Sequence, residues 1–68
     1  MLNTEKLREL RKRKGLTQAA VADKMGLTRV AITQYEMGVR TPKIDIAYKL
    51  ARIYGVKVDD LVSKEEKK

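Results

Sequence analysis

The chain contains no cysteine and no histidine, and these two absences remove several functional classes at once. Without cysteine there is no disulfide and no thiolate, either as nucleophile or as metal ligand. Without histidine there is no imidazole base, and the commonest metal-binding side chain is missing. Asp and Glu are scattered in salt-bridging contexts with no glycine-rich phosphate loop beside them. The expectation is a protein that is not an enzyme and takes no cofactor, no metal and no small-molecule ligand. The lack of cysteine also fits a reducing compartment. No apolar run is long enough to span a bilayer, and "MLNTEKLREL" lacks the basic-then-apolar order of a signal peptide. The chain is therefore not expected to span or cross a membrane, and the location reads as cytoplasmic.

What remains is small and basic. Sixty-eight residues make one domain, near the lower end of what folds without a disulfide or a metal. Stability must come from helix packing or from pairing with a second copy. A hydrophobic fraction of 43% is too high for a disordered chain. Sixteen Lys and Arg against nine Asp and Glu give a net charge of +7, which draws the chain towards polyanions. Composition leaves DNA, RNA, an acidic membrane surface and acidic proteins open as partners.

Gly and Pro divide the sequence into segments of helical rather than alternating periodicity. Asn3 is placed to cap a first helix running to Lys14, with Leu7 and Leu10 facing inward and Gly15 ending it. Thr17 caps a second helix, Gln18 to Met25, whose inner residues are Val21, Ala22 and Met25. Gly26 closes it and Thr28 caps a third. After Gly38, "VRTPK" reads as a loop, with Thr41 as cap and Pro42 in the first turn of a fourth helix. Ile44, Ala47, Leu50, Ala51 and Tyr54 form that helix's apolar stripe, which stops at Gly55. A fifth, short helix is expected around Val58, Leu61 and Val62. The domain is expected to span 1–63, and residues 64–68 read as a charged, disordered tail with nothing to bury. No repeat, low-complexity tract or linker divides the chain.

The third helix poses a question. In "GLTRVAITQYEMG", each helical residue turns about 100° around the axis, so Ala31, Ile32 and Tyr35 share one side. The opposite side carries Arg29, Val30, Thr33, Gln34 and Met37, without the Glu/Lys pairs that stabilise exposed helices. Upstream, Ala22 stands four residues before Gly26. Two helices joined by so short a turn cross steeply, which demands a small side chain where they touch and a positive φ at the corner.

These residues carry a resemblance. "LRKRKGLTQAAVADKMGLTRVAITQYEMGVRTP" is similar to the phage-repressor-like helix-turn-helix family of lambda repressor and Cro (Xre-type), and the likeness continues through "YKLARIYGVKVDDLV". Its most specific parts are "GLTQ", the Ala22 and Gly26 pair, "ITQYEMG" and "RTP". The resemblance implies an all-α, five-helix DNA-binding domain, usually homodimeric, whose third helix enters the major groove. It implies a transcriptional regulator, and repression is the expected mode because occupying a promoter needs no extra surface.

Physical chemistry assigns roles to the individual residues. An outward face built for base edges is selected for hydrogen-bonding reach and methyl contact rather than solvation. Arg29 suits guanine O6 and N7, Gln34 suits adenine, Thr33 suits either kind of base, and Val30 suits a thymine methyl. Gln18 matches the family position that grips a phosphate at the start of the second helix, and a Thr17 cap orients N–H groups towards the same anion. Arg40 matches the basic position before the Thr-Pro pair. Lys43 and the cap Thr28 are further candidates for the phosphate backbone, where contacts set register without reading sequence. Glu36 would repel phosphates, and the resemblance pairs it with Arg11 in a structural ion pair. Arg8, Lys12, Arg13 and Lys14 read mainly as long-range attraction and solubility.

The expected partner is double-stranded DNA, a pseudo-palindromic operator bound by a homodimer with half-sites about 34 Å apart. With no oligomerisation domain following, the dimer is expected to form through Val56, Val58, Leu61 and their neighbours. Lys57 stands where such proteins often carry a Ser or Asp cap. The rival class is a helical protein-interaction module, such as an antitoxin or coactivator, whose helix-turn-helix binds a protein.

Overall fold

The computed structural model describes residues 2–62. Four α-helices, α1 (Thr4–Arg13), α2 (Gln18–Met25), α3 (Arg29–Met37) and α4 (Ile44–Tyr54), are followed by one 3-10 turn, Val58–Leu61. No strand occurs among the described residues. The tail assigned to 64–68 lies outside them.

Local chemistry accounts for the helix boundaries. Asn3 Oδ1 accepts from the Lys6 N–H at 3.0 Å, Thr17 Oγ1 from Ala20 at 3.0 Å and Thr28 Oγ1 from Ala31 at 3.2 Å; each of these bonds satisfies a donor that the first helical turn leaves open. Gly26 sits at φ +68°, and the next N–H, on Leu27, reaches back to the Ala22 carbonyl at 2.9 Å. The chain thus leaves α2 through a left-handed residue and reaches Thr28, the cap of α3, two positions later.

Two boundaries differ from the sequence expectation. The N-cap of α4 is Lys43, which makes no side-chain cap, so Thr41 and Pro42 precede the helix instead of opening it. Proline disfavours helical geometry at the residue before it, and Pro42 is itself buried in the loop. The last element is a single 3-10 turn, with the Asp60 carboxylate accepting the Lys57 N–H at 3.2 Å. Val62 is already extended and pairs with Leu2 in an isolated antiparallel bridge, next to a bond from the Asn3 N–H to the Leu61 carbonyl of 2.8 Å. The two ends of the described chain are therefore clasped together, and the clasp stops any fifth helix after one turn.

The core joins Leu7 and Leu10 of α1, Val21, Ala22 and Met25 of α2, Ala31, Ile32 and Tyr35 of α3, Leu50, Ala51 and Tyr54 of α4, and Leu61. Leu61 is 0% exposed, which removes it from any surface between two copies; Val56 and Val58 pack partly against the core. Of the dimer patch expected around Val56, Val58 and Leu61, Leu61 is thus committed to the core, while Val56 and Val58 keep part of their surface. Conversely, Ile44 is 66% exposed and Tyr48 lies exposed one turn after it, so Ile44 does not belong to the inner stripe of α4.

Burial pushes the Tyr54 phenol up from 10.0 to about 12, and the Glu36 carboxylate adds to the rise while Arg11 opposes it. The folded state holds this proton more tightly than the unfolded state does. Its contribution to stability is therefore complete below pH 10 and is lost as pH rises from 10 to about 12. Denaturant midpoints measured across that window should fall more steeply for the wild type than for Tyr54→Phe; equal slopes would show that the phenol titrates as freely folded as unfolded.

Candidate nucleic-acid interface

Among the described residues α2 and α3 make the most extensive helix pairing, and this pairing determines which side of α3 is free. Ala31, Ile32, Tyr35 and Glu36 are buried. Val30 (64% exposed) and Met37 (68%) stand at the middle of the outward side, with Thr33 and Gln34 half-buried on its two flanks and Arg29 exposed at the N-terminal end. From sequence, Met37 belongs to this face without a role assigned to it. Its position seven residues after Val30, two turns along the same stripe, is the signal that would have supplied one.

Glu36 is the one charged residue buried among those described, at 2% exposure. Its carboxylate accepts from Arg11 Nε at 2.7 Å, Arg11 Nη2 at 3.2 Å and Gln18 Nε2 at 3.0 Å. Arg11 is also tied down, donating from Nη1 to the Leu16 carbonyl at 3.0 Å. A buried carboxylate with three donors is compensated, and here the donors come from α1 and α2. The pair therefore locks α3 to both helices at a fixed angle. Arg8 adds to the lock by donating to the Glu36 carbonyl oxygen, a structural task that its place beside a basic run gave no reason to assign.

Gln18 makes two bonds to α3. While Nε2 donates to Glu36, Oε1 accepts from the Thr33 hydroxyl at 3.0 Å, so two residues assigned to DNA contact are bonded to each other.

Beside this network lies an open groove of about 460 Å³ lined by Arg11, Thr17, Gln18, Ala19 and Arg29. It is bordered by the start of α2, whose first N–H groups have no partners within the helix, and by two guanidinium groups, one of them already paired with Glu36. A phosphate oxygen matches that surroundings in charge and in donors. Arg29, assigned to bases from sequence, borders the same groove as the phosphate candidates Thr17 and Gln18. Thr28 is occupied as the cap of α3. Arg40, exposed beyond the end of α3, holds its guanidinium 5.8 Å from the Tyr35 ring centroid, within cation–π range. Lys43 is exposed at the start of α4, separated from α3 by the loop.

Among the described residues, no helix is long and apolar enough to cross a membrane, and no group of three or more Asp and Glu could hold a metal ion.

Comparison with known proteins agrees with this geometry. The profile of the family described as Helix-turn-helix matches residues 7–61. The chain is 42% identical over 62 residues to the uncharacterized HTH-type transcriptional regulator YqaE of Bacillus subtilis, an alignment covering 91% of this chain and 53% of the relative. It is 38% identical over 63 residues to the cryptic phage CTXphi transcriptional repressor RstR of Vibrio cholerae, covering 93% of this chain and 57% of the relative. Against an uncharacterized HTH-type transcriptional regulator of Methanocaldococcus jannaschii it is 36% identical over 61 residues, covering 90% of this chain and 92% of the relative. The chain thus spans little more than half of the two bacterial relatives and almost all of the archaeal one. No solved structure matches it significantly. A match over most of the chain, on a fold in which a capped helix, a left-handed Gly corner and a second capped helix follow in that order, establishes that this chain belongs to the helix-turn-helix family.

Proposed function

We propose that the protein is a sequence-specific regulator of transcription that binds double-stranded DNA as a homodimer, with α3 in the major groove, and that it acts by repression. The observation that carries this reading is the exposed side of α3. Val30 and Met37, with Thr33 and Gln34 beside them, form a face of apolar and hydrogen-bonding groups without acidic side chains, while the sole carboxylate after Arg29 on that helix is turned inward and neutralised. A solvated helix gains nothing from exposing Val and Met. A helix laid against bases gains methyl and hydrogen-bond contacts. The groove at the start of α2, with Arg40 and Lys43 beyond α3, supplies cationic and N–H groups for the flanking phosphates.

Titration with duplex DNA at several salt concentrations tests the class. Neutralising phosphates makes log K fall linearly with log salt, by roughly 0.9 for each phosphate contacted; binding that is absent, or insensitive to salt, would instead favour the protein-interaction module. Arg29→Ala then sorts one contact. As a base reader, Arg29 is expected to relax preference at a single position, by about 1–3 kcal/mol, whereas Arg40→Ala weakens all duplexes alike and lowers the salt slope. A uniform loss on removing Arg29 would assign it to the phosphate groove that it lines.

A further inference from the structure

Thr33 can ordinarily act towards a base as donor or as acceptor. The surroundings of its hydroxyl remove that choice. The Glu36 carboxylate is buried and needs donors, so the Gln18 amide must turn Nε2 towards it, where the distance is 3.0 Å; the reversed amide would set two acceptor oxygens against each other. With Nε2 committed, Oε1 faces Thr33 Oγ1 at 3.0 Å. On its other side Thr33 Oγ1 lies 3.1 Å from the Arg29 carbonyl oxygen, one turn earlier. Both internal neighbours are acceptors, and a hydroxyl has one hydrogen. Whichever oxygen receives it, none is left to give outward.

We infer that Thr33 meets the bases as a hydrogen-bond acceptor only, and that it selects a base presenting an exocyclic amino group, adenine N6 or cytosine N4, at the point it touches. The inference rests on the DNA-binding reading and adds the polarity of one contact. Guanine O6 and N7 and thymine O4 are acceptors in the major groove and gain no bond from a threonine without a free proton. Thr33 lies between Val30 and Met37 along α3, half-buried on the α2 flank of the outward face, so a base reaching that flank meets the Thr33 side chain. The device links three helices: Arg11 and Glu36 fix Gln18, and Gln18 fixes Thr33. Gln18 is then a positioning residue for base choice, whatever it contributes to a phosphate.

The experiment selects bound duplexes from a fully randomised pool with the wild type, Thr33→Val and Thr33→Ser. Valine keeps the shape and loses the hydroxyl; serine keeps the hydroxyl. One column of the selected sequences should flatten with valine and persist with serine. In a duplex of the selected sequence, the adenine or cytosine of that column is then replaced by its analogue lacking the amino group. That replacement is expected to weaken the wild type by about three- to tenfold and to leave Thr33→Val unchanged. Overturning results are a valine variant with an unaltered selection, an amino-group deletion that costs both proteins equally, or coupling of Thr33 to a guanine or thymine oxygen. A wild type that enriches no sequence would defeat the DNA-binding reading itself, a result distinct from each of these.

Discussion

Replacing Glu36 with Ala is expected to leave most of the protein unfolded at physiological temperature. The Glu36 side chain is 3% exposed and that of its partner Arg11 is 12% exposed. Removing one member of a buried pair strands the other, at a cost of about 3–5 kcal/mol, and here Gln18 loses an acceptor as well. A domain of this size, with no cysteine for a disulfide, has a total stability of only about 3–5 kcal/mol to lose. The contrast is another ion pair, Arg13–Glu9, at 2.9 Å with both side chains more than half exposed. Glu9→Ala should change stability by no more than about 0.5 kcal/mol, as exposed i,i+4 pairs do. Thermal unfolding followed by circular dichroism compares the two variants directly. If Glu36→Ala melted within a few degrees of wild type, the network would be dispensable and the fixed angle of α3 would need another cause.

Val30→Glu is expected to abolish DNA binding while leaving the fold intact. Val30 stands at the middle of the free side of α3, so a longer side chain there meets no neighbour within the domain, and glutamate has at least the helix propensity of valine. Against DNA the same carboxylate is driven between phosphates, where like charges brought together cost several kcal/mol; the affinity loss should be about a hundredfold or more. Val30→Ala, which removes only methyl contact, should cost far less. Fluorescence anisotropy at one salt concentration, with a melting curve for each variant, separates lost binding from lost structure. A Val30→Glu protein that bound as the wild type does would mean that another surface meets the DNA.

The helices, their inner residues and the corner at Gly26 were legible in the sequence because each depends on neighbours within one or two turns. A cap needs its N–H three residues on, and an apolar stripe repeats every three or four. Ile44 shows where this local logic fails: it has the right phase for the inner stripe of α4, but it is the first residue of that helix, beyond the reach of the core. Leu61 failed the other way. Read as a leftover apolar residue available to a second copy, it fills the core, because the clasp between Leu2 and Val62 carries it inward. For the candidate site, the sequence located the outward face of α3, but it did not disclose that Gln18 and Thr33 hold each other, that Arg29 borders the groove at the start of α2, or that Arg8 braces the end of α3.

By itself, then, the sequence determined the class of fold, the order of the elements and the side of α3 that is free, since helical periodicity, caps and glycine corners are properties of adjacent residues. Only the tertiary structure decided how the polar groups divide between holding the protein together and facing a partner. The bonds between helices that make that division join residues 15 to 28 positions apart, and at such separations no spacing along the chain specifies which groups come within hydrogen-bonding distance. Glutamine, threonine and arginine have enough donors and acceptors to serve either purpose, so their allocation is settled by which oxygen lies three ångströms away.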